Sequence, residues 1–154
     1  MSSAKLLCDE RQTTRHLLMI RPSHFGSNPQ TARSNQFQRP AMHSAAELSV
    51  QAVREFDGVV TALDLAGVQA LVVADVPDDR TPDAVFSNNW MSTHCDGTVV
   101  LYPMAAANRR AERRPDILER LVAEGGFQVR RVINLSGLEQ SGNYLEGTGS
   151  LVLD

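Results

Sequence analysis

Asn88-Asn89-Trp90-Met91-Ser92-Thr93-His94 is the densest group of chemistry-bearing residues in the chain. Two adjacent asparagines, the chain's one tryptophan, a Ser-Thr pair and a histidine make a dense polar cluster. Asn88 and Asn89 could equally cap a turn, but an ordinary surface turn has no need of the large indole of Trp90. A short apolar run, Ala84-Val85-Phe86, reads as a strand that delivers this polar cluster at its end, a common way to build a ligand site in α/β proteins. Glu146 stands directly before Gly147-Thr148-Gly149. A carboxylate beside glycines can approach a ligand closely, because glycine removes side-chain bulk. The glycine pair is no phosphate loop: it lacks the lysine, the third glycine and a following helix, and a hairpin turn is the plainer reading. Arg109-Arg110 and Arg113-Arg114 are open to two readings, a solvated basic face or recognition of a carboxylate through paired hydrogen bonds.

Other candidates are weaker. His94 and Cys95 are neighbours in an expected strand and point to opposite faces, so they make a poor base–nucleophile pair. Cys8 lies in a polar, unpatterned arm. His16, His24, His43 and His94 show no metal-ligand spacing, and neither a metal nor a cofactor is expected.

The elements that must position these residues follow from periodicity. Leu17 to Ile20 reads as a buried strand closed by Arg21-Pro22. Residues 23–41 form a long polar loop with Phe25 and Phe37 as isolated apolar anchors. Ser44 and Glu47 form a capping box for a helix carrying Leu48, Val50, Val53, Phe56, Val59, Val60 and Leu63, which Gly67 ends. Val68 to Val73 is a second buried strand, and residues 77–82 are a turn or loop. Asp96-Gly97 suits a hairpin between Met91–Cys95 and Thr98–Tyr102. Pro115 is placed as the first residue of a helix closed by Gly125-Gly126. Strands are expected at 127–135, 144–146 and 150–154, with a loop at 136–143. The order resembles a repeated unit of two strands, a helix and a strand.

With 154 residues, 42% apolar content and a net charge of −3, the chain is sized for one α/β domain and carries no basic excess for nucleic acid or an anionic membrane. No apolar run approaches a bilayer span or a secretory signal. Two widely separated cysteines argue against a disulfide framework and for a reduced, cytoplasmic setting. The final strand runs into the last residue without a covering helix. Its open edge implies a truncated sheet or homo-oligomerisation through it.

Taken together the motifs resemble the guanidino-group modifying superfamily of amidinotransferases and arginine deiminases, the penteins, and within it the citrulline-utilisation hydrolases. The resemblance rests on Met19-Ile20-Arg21-Pro22, Phe25-Gly26, Asn28-Pro29, Val85 to Trp90 with Ser92-Thr93-His94, Val99 to Met104 with Asn108-Arg109-Arg110 and Glu112-Arg113-Arg114, and Leu145 to Leu151. It implies a partial α/β-propeller of about two to two and a half of the family's five ββαβ modules. Residues 1–14 would be a flexible arm and 15–154 the N-terminal half of the propeller domain. The family's cysteine thiolate attacks the central carbon of a guanidino or ureido group, and its histidine moves protons. By resemblance Glu146 is the catalytic acidic position, Asn89 the second substrate-holding position, where deiminases carry aspartate, and Arg109 the grip on the substrate carboxylate, with Asn88 and Trp90 beside them. The family's catalytic cysteine and histidine would lie beyond residue 154, so that His94 and Cys95 do not fill those roles. The implied function is C–N hydrolysis on a citrulline- or arginine-like small-molecule amino acid. The rivals are a non-catalytic truncated module that binds ligand or self-associates, and a self-sufficient hydrolase using Cys95.

Overall fold

The computed structural model describes residues 13–32, 44–76 and 80–151. Its first unit is a strand, a helix and a strand: β1 (His16–Arg21), α1 (Ala45–Leu65) and β2 (Gln69–Ala74). β1 and β2 pair in parallel, with Leu18 opposite Leu71 and Ile20 opposite Val73. Parallel strands require a long crossover, which α1 provides. The expected capping box starts α1: Ser44 Oγ accepts from the Glu47 N–H, and the Glu47 carboxylate accepts from the Ser44 N–H. Gly67 follows its end at φ +75°, a conformation that suits glycine. A helix of 21 residues spans about 31 Å, whereas a six-residue strand spans about 20 Å. The helix therefore overhangs the sheet. Of its residues only Phe56 is fully buried, while Val50 and Leu65 are exposed.

The second unit comprises β3 (Met91–Thr93), β4 (Thr98–Leu101), α2 (Ala107–Arg110), α3 (Pro115–Ala123) and β5 (Arg131–Asn134). β3 and β4 form an antiparallel hairpin as expected, with Met91 opposite Leu101. β3 stops at Thr93, however, and His94 and Cys95 belong to the turn, which the Gly97 N–H closes onto the His94 carbonyl. Gly97 turns it at φ +84°, and a Cβ there would lie 2.5 Å from the Gln128 carbonyl oxygen, so only glycine fits. β4 and β5 pair in parallel, completing a strand-strand-helix-strand unit. α3 begins with Pro115 and buries Ile117 and Leu121.

Both sheets feed one core. Ile20 and Val73 from the first pack with Trp90, Met91, Val99, Met104 and Ile117 around the second. The result is a mixed α/β fold with one two-stranded and one three-stranded sheet. No helix among the described residues is long and apolar enough to cross a membrane.

Several expected strands take other forms. Residues 84–86 are a series of turns: the Ala84 N–H bonds the Thr81 carbonyl and the Phe86 N–H that of Asp83. Pro82 occupies the second position of the first turn, where its fixed φ favours turning over extension. The chain then enters a 3-10 turn, Ser87–Asn89. Residues 127–130 are irregular, and the strand is confined to β5. The expected loop at 136–143 contains a 3-10 stretch, Ser136–Ser141. Residues 144–146 are not a strand, and the Gly-Thr-Gly segment forms one helical turn, α4 (Gly147–Ser150), rather than a hairpin. Of the last expected strand, residues 152–154 lie outside the described residues, as do 1–12 of the N-terminal arm and 33–43 of the long loop.

Trp90 is 1% exposed at the centre of the core. Trp90→Ala should destabilise the chain by about 3–5 kcal/mol, read as a lower urea midpoint, whereas truncating its half-buried neighbour Asn89 should cost far less.

Candidate functional site

Two segments that are remote in sequence meet beside the core. The 3-10 turn at 87–89 packs against α4 so closely that a Cβ on Gly147 would lie 2.3 Å from the Asn88 carbonyl oxygen. Gly147 therefore serves close approach, and its φ is also positive, at +23°. A Cβ on Gly149 would touch both Asn89 Oδ1, at 3.4 Å, and Glu146 Cβ, at 3.7 Å. Asn88 Nδ2 donates to Thr148 Oγ1 and, at 3.2 Å, to Asn89 Oδ1. The amide pair and the carboxylate thus flank one small-residue patch.

Backbone pairing delivers Glu146 there. After β4 the Tyr102 N–H bonds the Trp90 carbonyl, and the Leu145 N–H bonds that of Pro103. The strip ending at Glu146 consequently runs beside residues 103–105, and Glu146 Oε1 accepts from the Ala105 N–H at 3.2 Å. Trp90 lies behind this wall, in the core, and its Nε1 has no hydrogen-bond partner among the described residues.

Arg109 lies beneath the patch with its side chain 4% exposed. Its Nε and Nη2 each donate to the Glu112 carboxylate at 3.0 Å. Nη2 also reaches the Phe86 carbonyl at 3.3 Å. Nη1 faces Glu146 Oε2 at 3.5 Å, and Asp83 lies 3.9 Å from Nε. Asp83 in turn accepts from the buried Asn28 amide at 2.7 Å, and Asn28 and Asn108 exchange amide hydrogen bonds. Burial outweighs the Arg109 contact and pushes the Glu112 carboxyl up to about 7; Asp83 and Asp75 add to the rise.

The other arginines are also bound inward, so a solvated basic face does not describe the run. Arg110 donates to the Met104 and Ala105 carbonyls and stands over the Tyr144 ring. Arg113 pairs with Glu139, and Arg114 pairs with Asp116 while reaching the Ala74 carbonyl. Burial raises the Glu139 carboxyl, but Arg113, the Met104 N–H and Arg110 together outweigh it and hold its pKa below the ordinary carboxylate value.

His94 Nε2 lies 3.0 Å from Ser92 Oγ, which also meets the Tyr102 hydroxyl. Cys95 is disulfide-bonded, contrary to the expectation of reduced thiols, and so offers no thiolate for a self-sufficient hydrolase. Among the described residues no group of three or more His, Cys, Asp or Glu side chains is arranged to hold a metal. A cleft of about 870 Å³ opens between the loop carrying His24 and Phe25, the start of α1, and α2; its lining includes Asn108 but not Asn88, Asn89 or Glu146.

Asn88, Asn89, Glu146 and Arg109 therefore converge, with Trp90 supporting them from the core. Sequence reasoning missed Asp83 and Glu112. The one local signal was the spacing of Arg109 and Glu112, three apart as on one helical face.

A family model described as N,N dimethylarginine dimethylhydrolase, eukaryotic, matches residues 21–154. No curated protein and no solved structure matches the chain.

Gly147→Ala should separate the 87–89 turn from α4 while leaving the core intact. The expected result is altered Asn88 and Asn89 amide resonances with little loss of helical circular dichroism. A pH prediction follows from Glu112, whose folded pKa of about 7 exceeds its ordinary 4.5. The folded chain keeps a proton that the unfolded chain loses. This group's stabilisation is thus full below about pH 4.5 and lost as the pH rises through 7, by about 3 kcal/mol at most. Melting temperatures measured from pH 4.5 to 8 should show this fall in the native chain relative to Glu112→Gln.

Proposed function

As this chain belongs to the N,N-dimethylarginine dimethylhydrolase family, a family acting on the methylated guanidino group of arginine, we propose that residues 87–89 and 146–149 form its wall for a guanidino or ureido group. The observation that carries the reading is the packing of the Asn88-Asn89 turn against Gly147 and Gly149, which sets Asn89 and Glu146 around one patch. Glu146 accepts N–H bonds from the substrate's planar head. Asn89 accepts one further N–H through Oδ1 and can donate through Nδ2. Arg109 presents Nη1, the nitrogen not engaged by Glu112, toward the substrate carboxylate. Asn88 braces the turn, and Trp90 closes the wall from behind. The chain then represents part of a pentein propeller, and the covalent step falls to a cysteine and a histidine outside these 154 residues.

Asn89 bears on the choice of substrate. A guanidinium offers only donors, which a carboxylate answers best, whereas a ureido group adds a carbonyl oxygen that needs a donor. Asparagine supplies both functions and gives no reward to a cation. Hydrolysis of a guanidino C–N bond itself yields a ureido product, so the two heads share one site geometry. The proposed preference is for a citrulline-like ureido amino acid, as in the citrulline-utilisation branch.

Calorimetric titration of the chain with citrulline, arginine and N,N-dimethylarginine tests this. Citrulline should bind most tightly, and Asn89→Asp should shift the ratio toward arginine by about tenfold, or ~1.4 kcal/mol. Glu146→Ala should weaken all three. Tighter binding of arginine than citrulline, unaffected by Asn89→Asp, would overturn the preference.

A further inference from the structure

Glu112 touches none of the proposed substrate-holding groups except Arg109, yet it is 4% exposed and takes both Nε and Nη2 of that guanidinium. Arg109 in turn reaches the carbonyl of Phe86, the residue immediately before the 87–89 turn, and the carboxylate of Glu146. One buried ion pair therefore stands behind both halves of the wall. We propose that Glu112 is a positioning residue for this site: through Arg109 it holds the Asn88-Asn89 turn and Glu146 in register, and its charge sets how well the site tolerates a cationic ligand. The proposal rests on the assignment of the wall to a guanidino or ureido group.

The charges that face this pair come from several elements. Asp83 precedes the 3-10 turn, Glu146 precedes α4, and Asp75 follows β2, where it lies 4.0 Å from Arg114. With Glu112 ionised, Arg109 is neutralised locally, and Glu146 and Asp83 leave the patch negative. With Glu112 protonated, the guanidinium charge turns on Glu146 and competes with any incoming cation. A neutral ureido head is indifferent to this change. The carboxyl's shift to about 7 places the change near neutral pH, and two hydrogen bonds from one guanidinium fix its geometry.

Two measurements decide the matter. The first uses the ligand-free chain: amide resonances of the Asn88 and Asn89 side chains and the Arg109 Nε–H are followed from pH 5.5 to 8.5. All should share one midpoint near 7 that disappears in Glu112→Gln and persists in Glu112→Asp. Absence of a shared midpoint in the native chain, or its survival in Glu112→Gln, overturns the proposal. The aspartate variant and the native titration keep the test decisive if the glutamine variant does not fold. The second is affinity against pH. The affinity of N,N-dimethylarginine relative to citrulline, which shares its carboxylate end, should be about tenfold lower at pH 6 than at pH 8, and Glu112→Gln should remove the difference. Failure of every ligand to bind at any pH would refute the site assignment and with it the claim on cation tolerance. The ligand-free resonances would still show whether the clamp operates.

Discussion

A guanidinium enclosed by protein is the constraint from which the rest of this structure follows. Arg109 has lost nearly all contact with water, and a buried charge costs several kcal/mol unless its donors are answered. Glu112 answers two nitrogens, Phe86 contributes a carbonyl, and Glu146 and Asp83 supply further negative charge. Moving any of these segments away would leave charge unpaired in a poorly hydrated place. The turn at 87–89, the short α2 and the strip ending at Glu146 are therefore held to one another by electrostatic need as well as by packing.

The same device recurs along residues 109–116. Four-residue α2 is too short to persist alone, and its arginines, with those that follow, secure it to its surroundings. Arg110 and Arg113 meet around Glu139, drawing the 3-10 stretch Ser136–Ser141 toward Met104. Arg114 holds the start of α3 to the end of β2 through the Ala74 carbonyl. The apolar core of Trp90, Met104 and their neighbours is compact, with aromatic residues only 5% of the sequence. Guanidinium contacts join to it segments that carry little apolar surface. Such contacts are directional, which fixes how these segments sit against one another.

Much of the fold was legible because its signals are local. Ser44 and Glu47 marked the start of α1, Gly67 its end, Asp96-Gly97 the hairpin, and Pro115 the start of α3. Each device works through a few neighbouring residues, so sequence suffices to see it. The errors share a cause. Ala84-Val85-Phe86 is apolar enough for a strand, but Pro82 turns the backbone and Phe86 spends its carbonyl on Arg109. Tyr144 to Glu146 has strand-like composition, yet its neighbour is the irregular segment at 103–105. Periodicity records which residues suit burial and does not record which backbone groups are available to pair.

For the site, the sequence showed which residue types were present near one another in the motifs, paired amides, a carboxylate and a guanidinium, and the family resemblance tied them to a guanidino or ureido head. The glycines beside Glu146 likewise announced a close approach. Only the tertiary structure decided what approaches, namely the Asn88 and Asn89 backbone against Gly147. It also decided that Trp90 faces inward and that Arg109 is shared between Glu112 and Glu146. The physical reason is one of range. Hydrogen-bonding capacity belongs to a residue, whereas burial and charge compensation belong to whatever the fold brings within a few ångströms of it.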